Sequence, residues 1–145
     1  MMSWYSTIPN PQVLDLAKSY NDAAKILANA KANSIPIINL QCHAIELFLK
    51  SLHLKDESIP DGNVFILRPR SGHDSNHDLI NSFKKAQDSH RKELECGMPE
   101  LCDNLKMLEG IFQQSRYLYE KGGSLPLSVA ARVSQYLEDK VPNLE

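Results

Sequence analysis

The sequence predicts an all-α fold, an up-down bundle of four to five helices in a single domain spanning residues 1–145. Apolar side chains recur every three or four residues over most of the chain, which places them on one face of a helix. Prolines, glycines and capping residues divide the chain into helical segments, and short connections between the last of these favour antiparallel neighbours. A chain of 145 residues can bury a core without disulfides or bound metal.

The first helix is predicted over residues 11–33. Asn10 is a favourable N-cap, and Pro11 suits the first helical position because an amide hydrogen is not needed there. One apolar stripe should face the core, and it comprises Val13, Ala17, Tyr20, Ala24 and Leu27.

The second helix is predicted over residues 36–54 and is apolar around most of its circumference, which is typical of a central helix. Its polar residues are spaced four, three, four and three apart, so they share one narrow face. They are Asn39, His43, Glu46, Lys50 and His53.

A long connection is predicted over residues 55–76. Residues 58–62 have turn chemistry, and the apolar run 64–67 is expected to form an extended strand or a plug over the core. Connections of this length in a compact domain are often functional or mobile.

Three further helices complete the predicted bundle. The third should begin near His77 and end at Gly97, with Ser75 and Asp78 resembling a capping box and Leu79, Phe83, Ala86 and Leu94 buried. The fourth is predicted over residues 99–120, with a core stripe of Leu101, Leu105, Leu108, Phe112 and Tyr119. The fifth should follow residues 124–126 and end at Pro142, with Ala130, Val133, Leu137 and Val141 in its core stripe.

Composition limits the compartment and the class of protein. A net charge of -2 argues against a protein that coats nucleic acid through bulk positive charge. The three cysteines, Cys42, Cys96 and Cys102, are irregularly spaced and are expected to be reduced thiols, with Cys42 in the core. No signal peptide or membrane-spanning stretch is expected, so the predicted localisation is cytoplasmic with no membrane association.

The polar face of the second helix is the first candidate site. Glu46 and Lys50 are four residues apart in the order that favours an ion pair on a helix. Spacing alone favours a solvated edge with a weak surface pair. The alternative is a polar seam in a cleft or a dimer interface, and the otherwise apolar character of this helix supports it.

The stretch 72–79 contains the pairs His73-Asp74 and His77-Asp78, which could supply metal ligands. Loop polarity followed by helix capping is the favoured interpretation, and no metal or cofactor is predicted. His43 with His77-Asp78 also resembles part of a metal-phosphohydrolase pattern, which is a minor alternative. No nucleophile motif or phosphate loop is present, so the chain is not expected to be an enzyme on motif grounds.

Arg116 is the third candidate, in the run 116–120 of the fourth predicted helix. Its planar guanidinium could bind a phosphate or carboxylate. It could equally pair with Glu120 or Glu46.

Three blocks, residues 44–50, residues 72–79 with His77-Asp78, and Arg116-Tyr117, occur in an order that resembles the HEPN superfamily (higher eukaryote and prokaryote nucleotide-binding). The resemblance covers residues 20–120. It implies a helical bundle that commonly forms a homodimer, and often a metal-independent ribonuclease in toxin–antitoxin, phage-defence or RNA-processing systems.

The family's catalytic signature is an arginine followed, after four to six residues, by a histidine near the start of the last core helix. Here no histidine follows Arg116, since the last in the chain is His90. The spacing from Arg68 to His73 matches, but it falls in the long connection. The resemblance therefore implies a non-catalytic role.

The leading expectation is a non-catalytic HEPN-like homodimer that binds a nucleotide, RNA or a protein partner, in a stress, toxin–antitoxin or phage-defence setting. The candidate ligand-binding residues are Glu46, Lys50, His77, Asp78 and Arg116. The alternative is a metal-independent endoribonuclease that uses His73 or His77 as general acid or base. A third hypothesis is a purely structural interaction bundle.

Overall fold

The computed structural model describes residues 4–5, 8–61, 64–69, 78–111 and 125–145, with side chains for residues 8–55, 78–111 and 125–145. Within these ranges it contains six α-helices, a short 3-10 helix over Val141–Asn143 and three β-strands. The helices are α1 (Pro11–Asn29), α2 (Ser34–Lys50), α3 (Leu79–Lys84), α4 (Asp88–Gly97), α5 (Leu101–Leu108) and α6 (Leu127–Lys140). The strands are β1 (Trp4–Tyr5), β2 (Asp56–Asp61) and β3 (Val64–Pro69).

The core of the described chain is built by helices, which confirms the predicted helical class. Helix α2 is central, since it packs against α1, α6 and α3. Its apolar side chains fill the middle of the core, and Ile38, Ile45, Phe48 and Leu49 are fully buried. The apolar residues predicted to face the core on α6 are buried as well: Ala130, Val133, Leu137 and Val141.

Asn10 fixes the start of α1 against the end of α2. Its side-chain oxygen accepts hydrogen bonds from the amides of Gln12 (3.0 Å) and Val13 (3.3 Å), as the N-cap prediction requires. Its side-chain nitrogen donates to the carbonyl of Leu54 at 3.1 Å, and its backbone amide donates to that of Ser51 at 2.7 Å. The two helices are therefore antiparallel neighbours.

The predicted end of the first helix is wrong by four residues. Helix α1 ends at Asn29, and Lys31 then adopts a left-handed backbone with φ of 58°. Asn33 caps α2 by accepting a hydrogen bond from the amide of Ile35 at 2.9 Å. A cap and a left-handed residue thus form a tight link between the helices.

The connection after α2 carries a three-stranded antiparallel sheet with the order β1-β2-β3. The extended run expected at 64–67 is confirmed by β3, whereas the turn expected over 58–62 is wrong in its first part because Ser58 to Asp61 belong to β2. Pro60 of β2 pairs with Phe65 of β3. The two described residues of β1 pair with Glu57 and Ser58 of β2. Within the described residues, the proline therefore lies outside the part of β2 that pairs with β1, and such a position suits a residue without an amide hydrogen.

The third predicted helix is wrong as a single element, because α3 and α4 are separated by Lys85, Ala86 and Gln87. Gln87 has an extended backbone, and Asp88 then occupies the first turn of α4, where the helix dipole favours a carboxylate. The predicted buried residues Leu79, Phe83, Ala86 and Leu94 are all buried, so the periodicity continues across the break and conceals it.

The fourth predicted helix is also interrupted. Helix α5 begins at Leu101, and it ends at Leu108 because Glu109 is extended and Gly110 has a φ of 77°. A left-handed glycine is a common helix terminator. Leu101, Leu105 and Leu108 are buried as predicted, whereas Phe112 and Tyr119 lie outside the described residues. Of the helices in the described ranges, none has the length and apolar character needed to cross a membrane.

Candidate functional site

The polar face of α2 lies inside the fold. The backbone of α2 is helical from Ser34 to Lys50, and Asn39, His43, Glu46 and Lys50 are buried or half-buried along it. The ring of His43 stacks on that of Tyr20 from α1, with centroids 5.2 Å apart and planes 23° apart. The polar face is therefore enclosed by neighbouring elements.

Glu46 and Lys50 form a buried ion pair at the centre of this face. Lys50 Nζ donates to Glu46 Oε1 at 2.7 Å, and the two side chains are only 10% and 6% exposed. The favoured expectation of a solvated edge with a surface pair is wrong, because both groups are buried on the helix that α1, α3 and α6 pack against. A pair in this position is costly to desolvate, and it depends on both partners.

Cys42 lies one turn before Glu46 and belongs to the core, as predicted, with 2% exposure. Burial, and then the nearby charge of Glu46, raise the pKa of the Cys42 thiol to about 12. The thiol therefore remains protonated at neutral pH, and Cys42 is not a nucleophile.

His53 continues the polar face beyond the last turn of α2. Its Nε2 atom lies 2.9 Å from the hydroxyl of Ser82 on α3, which is buried. This contact joins the end of the polar face to α3 across 29 residues of sequence.

Asp78 is the N-cap of α3. The predicted capping box, in which Ser75 is the cap, is therefore wrong. Asp78 Oδ1 accepts from the Asn81 amide at 3.1 Å, and Oδ2 accepts from the Asn81 side chain at 2.8 Å. Glu109 Oε1 accepts from the Ile80 amide at 2.9 Å. Two carboxyl groups from distant parts of the sequence thus satisfy the first amides of α3.

The carboxyl groups of Asp78 and Glu109 also share a hydrogen bond. That bond from Glu109, with the bond from the Asn81 amide, holds the pKa of Asp78 below its usual value. Partial burial, and then the bond to Asp78, raise the pKa of Glu109. As the pH falls, the first proton that this pair takes up is therefore held on Glu109, next to Asp78.

The structure therefore brings Glu46 and Lys50 together and places Asp78 at the start of α3. His77, Arg116 and His73 lie outside the described residues, so their positions stay predictions. In the described ranges, no three His, Cys, Asp or Glu side chains are grouped as a metal ion would require.

The sequence does not predict the pairing of Glu109 with α3. The contact between Glu109 and Ile80 spans 29 residues. No local spacing rule relates residues so far apart, and the only available signal was the glycine at position 110 that ends α5.

Lys50→Met should reduce the free energy of unfolding by about 3 kcal/mol, because the buried carboxylate of Glu46 would lose the ammonium group that lies 2.7 Å from it. Lys25→Met is the matched control. Lys25 pairs with Glu138 at the same distance, 2.7 Å, but its side chain is 46% exposed. In urea denaturation, Lys25→Met should reduce the free energy of unfolding by no more than about 1 kcal/mol. Equal losses in the two variants would contradict the buried pair.

Glu109→Gln tests the shared proton, since an amide can still donate to Asp78 and accept from the Ile80 amide. Because the pKa of Glu109 is raised in the folded state, this residue stabilises the fold at pH values below its unfolded pKa, about 4.3. That stabilisation is lost as the pH rises through the raised folded-state pKa. Asp78 has the opposite sign, since its lowered pKa makes its contribution present above about 3.9 and lost on acidification.

The melting temperature of the variant minus that of the native chain should therefore be larger at pH 8 than at pH 5, as measured by thermal unfolding. Glu93→Gln, at an exposed position of α4, is the control and should show the same difference at both pH values. A pH-independent difference for Glu109→Gln would refute the shared proton.

Comparison of the chain with protein-family models, with curated proteins and with solved structures gave no match. The HEPN resemblance consequently rests on the three sequence blocks alone. What it implies for function is a proposal.

Proposed function

We propose that this chain is a non-catalytic HEPN-like helical module that binds a nucleotide or RNA, or a protein partner, through the polar face of α2. The observation that carries the proposal is the buried ion pair of Glu46 and Lys50 on the central helix. Apolar side chains of similar volume would fill the same space without a desolvation cost. A charged pair there is better explained by a site than by stability.

In this proposal Lys50 and Arg116 contact a phosphate or another anionic group, and Glu46 orients Arg116. Lys50 has three donor hydrogens, so the bond to Glu46 leaves donor capacity for a ligand. Asp78 is committed to capping α3, and its role in the proposal is to fix the start of that helix.

Arg116→Ala should weaken binding of a nucleotide or a labelled single-stranded RNA about tenfold, the effect of losing one charge-assisted hydrogen bond. Its melting temperature should stay near the native value. Arg132→Ala, at an exposed position of α6, is the matched control and should bind as the native chain does. Fluorescence anisotropy and calorimetry measure the affinity of each variant for both ligands.

Equal binding by the two arginine variants would remove Arg116 from the site, and unfolding of Arg116→Ala alone would make it structural. RNA cleavage that resists a chelator and is lost in His73→Ala or His77→Ala would favour the endoribonuclease instead. Absence of nucleotide and RNA binding would leave the protein-partner form of the proposal, or a structural bundle.

The homodimer is the second part of the proposal, and the outer face of α1 supports it. Leu16 and Ile26 are 49% and 67% exposed, and Leu16 lines an apolar groove of about 260 Å³ between α1 and α2. The outer face of α1 carries four residues spaced three, four and three apart: Leu16, Ser19, Ala23 and Ile26. This spacing is the same in both directions along the helix. Two antiparallel copies of α1 can therefore pair Leu16 with Ile26 and Ser19 with Ala23 about a two-fold axis.

Leu16→Lys should convert the dimer to monomer in sedimentation velocity, because it places two charges in the proposed apolar contact. Met107→Lys is the control, since Met107 on α5 is 53% exposed and lies away from this face. That variant should sediment as the native chain does. A monomeric native chain at high concentration would disprove the dimer without affecting ligand binding at α2.

A further inference from the structure

Helix α5 is tied to the start of α3 through the side chain of Glu109. This residue follows the last residue of α5, and its Oε1 atom accepts a hydrogen bond from the Ile80 amide at 2.9 Å. Asp78 caps the same turn, since its Oδ1 atom accepts from the amide of Asn81 at 3.1 Å. The two amides belong to adjacent residues of α3. The two carboxyl groups therefore lie side by side, and they share a hydrogen bond.

The backbone at Glu109 can change direction without disturbing the core. Glu109 is extended, and Gly110 follows it with a left-handed φ of 77°. Among the described residues, no atom lies within 4 Å of the position that a Cβ atom on Gly110 would take. On either side of these two residues, Leu108 and Ile111 are buried, each with 1% exposure. The side chain of Glu109 can therefore leave α3 while both flanking residues stay in the core.

Charges on the two helices do little to offset repulsion between these carboxylates. In the described part of the chain, the lysine that acts on Asp78 is Lys84 of α3, and the lysine that acts on Glu109 is Lys106 of α5. Both lysines are exposed, so water screens their attraction. Partial burial, and then the neighbouring Asp78, raise the pKa of Glu109 in spite of Lys106. The position thus disfavours the ionised form of Glu109.

Loss of the Glu109 proton reverses the sign of its interaction with Asp78. The protonated carboxyl group donates to Asp78 and accepts from the Ile80 amide at the same time. The ionised group can still accept from Ile80, but it can no longer donate, and it faces a second negative charge. Because the folded-state pKa of Glu109 is raised, the protonated contact stabilises the fold below the ordinary glutamate pKa, about 4.3. This contribution is lost as the pH rises through the raised pKa.

We propose that Glu109 forms a pH-sensitive contact, which holds the end of α5 on the start of α3 while Glu109 carries a proton and opens when the proton is lost. Glu109 and Gly110 are the residues that move. Opening frees the Ile80 amide, whereas Asp78 remains as the cap of α3. No ligand takes part, so the proposal does not depend on the HEPN-like function.

The test is a pH titration of the whole chain by nuclear magnetic resonance, read at the Ile80 amide proton from about pH 4 to pH 8. Asp78 stays ionised over this range because its pKa is lowered. A carboxylate is a stronger acceptor than a carboxylic acid, so an ionised Glu109 that stayed in place would shift the amide signal downfield as the hydrogen bond strengthened. Opening of the contact should instead shift the signal upfield as the pH rises, with a midpoint above about 4.3.

Two variants separate the charge from the contact. Asp78→Asn keeps a good N-cap and removes the second charge, so ionised Glu109 should stay bound and the Ile80 signal should move downfield. Glu109→Gln has no proton to lose, so the signal should not titrate over the same range. Glu93→Gln, at an exposed position of α4, is the control and should behave as the native chain does. Circular dichroism melts confirm that each variant is folded.

An upfield shift in the native chain that both Asp78→Asn and Glu109→Gln abolish would support the pH-sensitive contact. A downfield shift in the native chain would overturn the proposal, because Glu109 would then remain on α3 when ionised. A native signal that does not titrate would overturn it as well. So would a titration that persists in Glu109→Gln, since the proton would then belong to another group.

Discussion

The contacts of Asn10 set the relation between the two longest helices, and the positions of the candidate sites follow from it. The side chain is fully buried, and it satisfies two amides at the start of α1 and one carbonyl after α2. Unpaired backbone groups at a buried helix end would each cost free energy, so this one amide serves both ends. The alignment that results places α1 against α2, where Tyr20 stacks on His43 of the polar face.

Burial changes the chemistry of the residues on α2. In water, Glu46 and Lys50 would contribute little to stability, because solvent screens their attraction. In the core, the two charges stabilise each other, and burial, followed by the negative charge of Glu46, raises the pKa of the neighbouring Cys42 thiol. At the edge of the fold, two acidic groups lie together, and the pKa of Glu109 is raised while that of Asp78 is lowered.

Local rules predicted α1, α2 and α6 as helices because each carries a periodic apolar stripe, although the predicted ends of the first two lie four residues beyond Asn29 and Lys50. The rules failed where this periodicity continues across a break in the helix. The buried positions of α3 and α4 share one periodicity, so the break at Gln87 is invisible to it, and Gly110 ends α5 inside a run that otherwise reads as helical. The candidate site was predicted only in part, since the pair Glu46 and Lys50 is local. Glu109 and its partner Ile80 lie 29 residues apart in sequence, and only tertiary packing brings them together.

Cys42 has a consequence for how the stability of this core could be followed. Its thiol is enclosed by the central helix and its neighbours, whereas Cys96 is exposed at the end of α4. A thiol-specific reagent therefore reaches the exposed Cys96 first, the half-buried Cys102 next, and Cys42 only when the core opens. The slow phase of such labelling would report the rate of global opening of the native state, without any added probe.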